Sequence, residues 1–371
     1  SRGYAPEPLP LTAPARRQVL AVGAELKNTV AVAKGGNVIA SHHIGDLEHL
    51  SAYRSFLQAV DHLCHLTGVE PEVVAHDLHP EYLSTKFAVE LDLPLLPVQH
   101  HHAHIASCLA EHGHQEPVLG VAFDGLGLGD DGGLWGGELL VADLHRFRRV
   151  GHLRAVPLPG GARAIREPWR MATAWLHTAL GAEEAGRYGR GADERWQPVL
   201  GLVERADTPL TTSAGRLFDA VAGLLGIRSY MTYEGQAPIE LEAAAAGLPA
   251  FCGPDQPLDV SEDGDGMLVL DPSPLVRRVV SERDRGTPVA EISAGFHASL
   301  GRAAADAASR LAQQHGLDTV ALSGGVFQNA RFTEVVVHHL RAAGLAVLVH
   351  QRVPPNDGGI SIGQAAIAAA G

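Results

Sequence analysis

The chain has 371 residues, 46% hydrophobic and 19% charged, with a formal net charge of −13; it is long enough for a large core in two lobes and too apolar for disorder. Only three lysines occur (Lys27, Lys34, Lys86), and there is no block of basic residues, which argues against a sequence-independent nucleic-acid binder. Three cysteines (Cys64, Cys108, Cys252) form no CxxC, and no signal peptide or membrane-spanning apolar run is read, so the expected setting is a reducing cytoplasm with no membrane and no nucleic-acid partner.

In chain order, Val19–Val22 and Thr29–Val32 read as strands around the loop Gly23–Asn28, and Val38–Ser41 completes a meander. A helix follows Asp46, with Leu47, Leu50, Leu57, Leu63 and Leu66 assigned to one face. Val73–His76 reads as a strand, Pro80–Leu91 as a helix and Leu95–Val98 as a strand bounded by prolines. A helix then covers Ala103–His112, with Ile105 and Leu109 at helical spacing. A second meander comprises the strand Val118–Phe123, a glycine-rich loop Asp124–Gly133 and the strand Leu134–Ala142. The region from about Gly151 to Pro288 reads as mostly helical, with Gly253–Gly266 as a surface loop. Strands at Thr319–Leu322 and Ala346–His350 flank a helix around Glu334–Leu340. The repeated order of meander, helix, strand, helix, strand predicts two duplicated α/β lobes with a nucleotide between them.

Five constellations carry chemistry. His100 and His104 stand four residues apart at a strand-to-helix junction, so both imidazoles reach one ion from one helix face; a solvated, histidine-rich helix start is the alternative. Lys27, in the hairpin Glu25–Thr29, offers a positive charge to a phosphate or carbamoyl oxygen, against the plainer reading of an exposed turn. The run Asp124–Gly133 is long for a structural hairpin, and an acidic phosphate loop makes sense if magnesium bridges carboxylate and phosphate. Ser323–Asn329 is a Gly-Gly turn from strand into helix, able to seat an anion or an adenosine. Asp357, in Pro354–Gly359, is a carboxylate ligand or a helix cap.

The strings VQHHHAH, DGLGLGDDGGLWGGE, IREPWRMA, GRLFDAVAGLLGI, ALSGGVFQN and PPNDGGISIGQ resemble the C-terminal half of the hydrogenase-maturation carbamoyltransferases (HypF). That half is the Kae1/TsaD-like domain, and the resemblance runs from about Val19 to the end. It implies the two-lobed actin/sugar-kinase-like (ASKHA) α/β fold, with mixed sheets and a mostly helical insertion at about 151–288. Residues 1–17 would be a linker, 18–117 the first lobe and 118–371 the second. The resemblance places metal ligands at His100, His104 and Asp357, for zinc or iron. It places the nucleotide, ATP or carbamoyl adenylate, at Asp124, Gly125 and Gly127 near the phosphates. Asp219 would meet the ribose, with Gly235 beside it and Gly324, Gly325 and Asn329 at the Gly-Gly turn. Lys27, His101 and His102 are the candidate catalytic side chains, and His101 and His102 are equally readable as support for the metal pair.

The implied reaction carries carbamoyl from carbamoyl phosphate, through carbamoyl adenylate, to the C-terminal cysteine thiol of a HypE-type protein. The thiocarboxamide formed is later dehydrated to the cyanide ligand of NiFe hydrogenase. Rival readings are a tRNA threonylcarbamoyl transferase and a non-catalytic nucleotide-binding scaffold. The chain lacks the paired CxxC zinc fingers of full-length members and opens on what resembles a linker, as an excised domain or a short natural form would. Leu126, Leu128, Asp130 and Gly133 replace the Thr, Tyr, Thr and Thr usual in the family, an expected loss of hydroxyl donors from the glycine run.

Overall fold

The computed structural model describes residues 7–189, 195–252 and 258–371. Six strands make the first sheet: β1 (Leu9–Pro10), β2 (Val19–Ala21), β3 (Ala31–Lys34), β4 (Asn37–Ala40), β5 (Val73–Asp77) and β6 (Leu95–Val98). Their order is β1-β4-β3-β2-β5-β6, with β2, β3 and β4 antiparallel and β5 and β6 added in parallel. β2 is buried on both faces, which is why it reads as an unbroken apolar run.

The second sheet repeats this plan. It contains β7 (Val118–Leu128), β8 (Leu134–Ala142), β9 (Phe147–Leu153), β10 (Val156–Pro157), β11 (Leu210–Thr211), β12 (Asp259–Glu262), β13 (Leu268–Asp271), β14 (Thr319–Ser323) and β15 (Ala346–Val349). Its main path runs β12-β13-β9-β8-β7-β14-β15, so β9-β8-β7-β14-β15 matches β4-β3-β2-β5-β6 strand for strand, antiparallel then parallel. This duplication is the two-lobed, actin-like α/β fold. Helices dominate between β9 and β14, with Pro168–Leu180, Ala214–Leu224 and Val289–His315 packed into the larger core.

The last helix, Ile360–Ala370, follows the second sheet in the chain but buries Ile360, Ala365 and Ala366 against Val19, Ala21 and Val73 of the first. It also crosses helix His100–His112 closely, because a Cβ on Gly363 would stand 1.9 Å from Ala103 O. Gln364 then holds the first hairpin from below, accepting from Gly23 N at 2.8 Å and donating to Gly23 O at 3.2 Å. Among the described residues no helix is long and apolar enough to cross a membrane.

Three expectations change. The strand expected to end at Phe123 continues to Leu128 through a bulge between Phe123 and Gly127, so the turn proper is only the tip of the run read as a ten-residue loop. In helix Leu50–Thr67 the buried stripe is Phe56, Ala59, Val60 and Leu63, while Leu50 and Leu66 face solvent. At 100° per residue Leu50 and Leu63 cannot share a face. Of the loop read at Gly253–Gly266, residues 253–257 lie outside the described residues, as do 1–6 of the linker and 190–194 of the helical region; residues 259–262 form edge strand β12.

Candidate metal centre and adjoining cleft

Helix His100–His112 begins where β6 ends, and the Gln99 side chain caps it by accepting from His102 N at 2.8 Å. His100 and His104 therefore stand in its first turns, both wholly buried. The bulge in β7 turns Asp124 inward, and the short turn Asp357–Gly359 brings up Asp357. His100 Nε2 lies 3.4 Å from Asp124 Oδ2 and 4.0 Å from Asp357 Oδ1; His104 Nε2 lies 3.5 Å and 3.9 Å from the same atoms. One ligand atom from each of the four falls within 4.8 Å of every other.

The donor set fits a cation. Nε2 of both histidines is buried without a hydrogen-bond partner, a costly state that an ion relieves. Donors about 2.1 Å from one zinc ion lie roughly 3–4 Å apart, as these do. Burial, then the charge of Asp124, pushes the Asp357 carboxyl up to about 7, against the opposing charges of His100 and Lys27. Burial opposes charge on His100, yet the Asp77 and Asp124 carboxylates outweigh it and hold its pKa well above the usual imidazole value. His100 Nδ1 lies 2.7 Å from Asp77 Oδ2, which aims Nε2 at the group. The Gly325 amide donates to Asp124 Oδ1 at 2.7 Å and leaves Oδ2 for the histidines.

The other expected residues are distributed around this group. Lys27, Asp124, Gly125, Gly235, Gly325 and Asn329 line a cavity of about 430 Å³ that opens beside the four donors, with Glu234 and Arg216 on its far wall. Lys27 has a positive φ of 48° and pairs with Glu234 across the cavity. Asp219 is wholly buried one helical turn below Gly215; Arg216 Nε is 2.9 Å away without hydrogen-bond alignment, so both carboxylate oxygens lack a donor. Burial pushes its pKa up to about 6.

Gly127 faces the histidines, where a Cβ would come within 2.7 Å of His100 and 2.8 Å of His101. Gly324, at φ 98°, supports rather than lines the cavity: a Cβ there would stand 2.2 Å from Phe123 O. His101 accepts from Gln99 Nε2 at 3.0 Å, and burial with His100 beside it holds its pKa well below the usual value, so it is a neutral neighbour of the group. The structure does not bring His102 to the cavity, because its Nε2 lies 2.7 Å from Asp143 O on another side of the helix.

Asp124, expected at the phosphates, lines the cavity and also stands among the four donors. One expectation changes: Asp130 and Asp131 of the acidic run sit at the hairpin tip, where Asp131 accepts from Gly133 N and Trp135 Nε1. Of the four departures there, Leu126 packs against the larger core, so none of the four replaces a hydroxyl lining the cavity. Sequence reasoning missed Asp77, although an aspartate at the carboxyl end of a strand is where such sheets keep their sites. It missed Glu234 too, for which only the neighbouring Gly235 hinted.

The HypF Kae1-like domain family matches residues 14–111, and the family described as carbamoyltransferase, Kae1-like domain, second subdomain matches residues 120–364. The chain is 42% identical to carbamoyltransferase HypF2 of Cupriavidus necator, covering 99% of this chain and 48% of that protein. It is 43% identical to a carbamoyltransferase HypF homolog of the same organism, covering 95% of this chain and 91% of the homolog. A crystal structure of full-length HypF in the phosphate- and nucleotide-bound form superposes with a TM-score of 0.93 at 39% identity, over 99% of this chain and 48% of that one. The chain thus spans about half the length of HypF2 and of the crystallised HypF.

Proposed function

The chain belongs to the HypF family of Kae1-like carbamoyltransferases, and from that premise we propose that it performs a transfer step from carbamoyl adenylate to a protein thiol. The acceptor in this reading is the C-terminal cysteine of a HypE-type hydrogenase-maturation protein, and carbamoyl phosphate and ATP are the ultimate donors, in the cytoplasm. The observation that carries it is the opening of the four-donor group directly onto the 430 Å³ cavity. The lobe division at about residue 117, with a linker to residue 17 and a helical insertion at 151–288, is part of the same proposal.

His100, His104, Asp124 and Asp357 would hold a divalent ion, zinc or iron by the chemistry of imidazole and carboxylate. Such an ion supplies Lewis acidity toward carbamoyl or phosphate oxygens. The protein does the rest. Lys27 offsets phosphate charge from the first lobe, Gly235 and Gly125 let the backbone approach the ligand, and Asp219, buried behind Arg216 of the cavity wall, acts on the ribose end through that side chain rather than by touching it. Asn329 lines the cavity while its side chain caps helix Ala330–Ala342.

The nucleophile comes from outside. Cys108 is buried in the core with its thiol pKa pushed up, Cys64 is half-buried on the first lobe with its own raised by burial, and Cys252 does not line the cavity. The external thiol gives up its proton to solvent as sulfur bonds to the carbamoyl carbon, the carbon–oxygen bond to AMP breaks, and AMP leaves with that electron pair. The test is incubation of the zinc- or iron-loaded chain with carbamoyl adenylate and a HypE-type protein, followed by mass analysis of that protein's C-terminus. A C-terminal carbamoyl adduct supports the reading; an acceptor left unmodified by the loaded chain overturns it.

A further inference from the structure

Glu111 closes the helix face that carries the two histidines. His100, His104, Ser107 and Glu111 stand at i, i+4, i+7 and i+11 on helix His100–His112, one stripe of its surface. That stripe faces the segment that runs from β15 to Asp357, which has no strand or helix of its own to satisfy its backbone amides. Glu111 satisfies three of them. Its Oε1 accepts from Gln351 N at 3.0 Å and from Arg352 N, and its Oε2 from Val353 N at 3.4 Å.

The same Oε2 lies 3.2 Å from His350 Nδ1, and His350 Nε2 lies 2.8 Å from Ser323 Oγ. Ser323 leads into Gly324, which donates to Pro355 O at 2.9 Å, and Gly325, which donates to Asp124. One carboxylate therefore links the three segments that present the four donors. Glu, His and Ser in this order have the shape of a hydrolytic triad, but Ser323 is 0% exposed, so no substrate reaches its hydroxyl.

We propose that Glu111 is a positioning residue of the metal group, fixing Asp357 relative to His100 and His104 by anchoring the backbone of Gln351–Val353. The inference rests on the reading of those side chains as a metal site. The test titrates the full chain with Co²⁺ and follows the ligand-field absorption, for the unaltered protein, Glu111→Ala and Glu111→Gln, with a melting curve for each.

Supporting side chains of metal ligands are worth roughly 10–100-fold in affinity, and Glu111→Ala should weaken Co²⁺ binding by that order and alter the band. Glu111→Gln keeps one oxygen for the loop and should fall between. Glu111→Ala with unaltered affinity and spectrum overturns the proposal; if that variant does not fold, Glu111→Gln with unaltered affinity overturns it equally. Absence of Co²⁺ binding by the unaltered chain would instead remove the metal reading itself, so the two failures are distinct.

Discussion

Asp77 Oδ2 lies 2.7 Å from Nδ1 of His100, and both side chains are wholly buried. The contact fixes which ring nitrogen carries the proton and leaves Nε2 pointing at Asp124 and Asp357. Asp77→Asn keeps an acceptor but loses the charge, so zinc affinity should fall on the order of tenfold; Asp77→Ala should lose up to about a hundredfold. Calorimetric zinc titration checks this, and equal affinity in Asp77→Ala would remove the orienting role.

Removal of both imidazoles should remove the ion. His100→Ala/His104→Ala should retain the fold by circular dichroism and carry no stoichiometric zinc or iron by elemental analysis. Full metal content in that double variant would show that the ion, if any, binds elsewhere.

Asp219 separates affinity from stability. In the proposed role behind Arg216 of the cavity wall, loss of its carboxylate should weaken ATP binding on the order of tenfold or more in Asp219→Ala. The carboxyl is raised in the folded state to about 6 from the ordinary 3.8, so the folded protein holds its proton more tightly than the unfolded chain. This group therefore makes stability fall as pH rises from about 4 to 6. Asp219→Asn removes that penalty, up to about 3 kcal/mol at neutral pH. A variant that melts higher at pH 7.5 yet binds ATP more weakly is the expected outcome; unchanged ATP affinity in both variants would make the helix merely structural.

The parts legible in the sequence are those where one local pattern has one geometric consequence. The four-residue spacing of His100 and His104 puts them on one helix face wherever the helix lies, and Asp357 precedes a helix whichever strand it follows. Asp124 was legible as a site residue but not as a ligand, because only the bulge in β7 and the Gly325 amide, 201 residues away, turn it toward the histidines. Lys27 was legible as a charge; its Glu234 partner was not, since the two are 207 residues apart and meet only when the lobes face each other. The leucines of helix Leu50–Thr67 misled because residue type was followed without angular phase.

Lys27 and Glu234 pair across the cavity. Both side chains are about one-third exposed, so the pair itself contributes little to stability. In the proposed role its larger effect is on ligand charge: Glu234 would compete with phosphate for Lys27 and repel the anion. Glu234→Gln should bind ATP several-fold more tightly at low ionic strength, and the gain should shrink as salt is raised. Lys27→Ala should weaken ATP binding with the same salt dependence. Weaker binding in Glu234→Gln would show that the carboxylate contacts the ligand favourably instead.

His297 sets the low-pH limit of the cavity wall. Its Nδ1 lies 2.7 Å from Ser293 O and its Nε2 lies 2.9 Å from Asn329 Nδ2. Both contacts are met by one neutral tautomer, with Nδ1–H donating to the carbonyl and Nε2 accepting from the amide. Protonation would set an N–H of the ring against an N–H of Asn329, whose Oδ1 caps helix Ala330–Ala342 by accepting from Phe332 N at 2.9 Å. Burial is the main cause that lowers the ring's pKa to about 4 from the ordinary 6.5. Below 6.5 the unfolded chain takes up a proton that the folded protein refuses until about pH 4. This contribution to stability is complete above 6.5 and is lost as pH falls toward 4, by about 3 kcal/mol in all. Melting curves between pH 7.5 and 4.5 should show the loss, and His297→Gln, which does not titrate, should show a shallower slope over the same range. Parallel slopes in the two proteins would place the acid sensitivity at other groups.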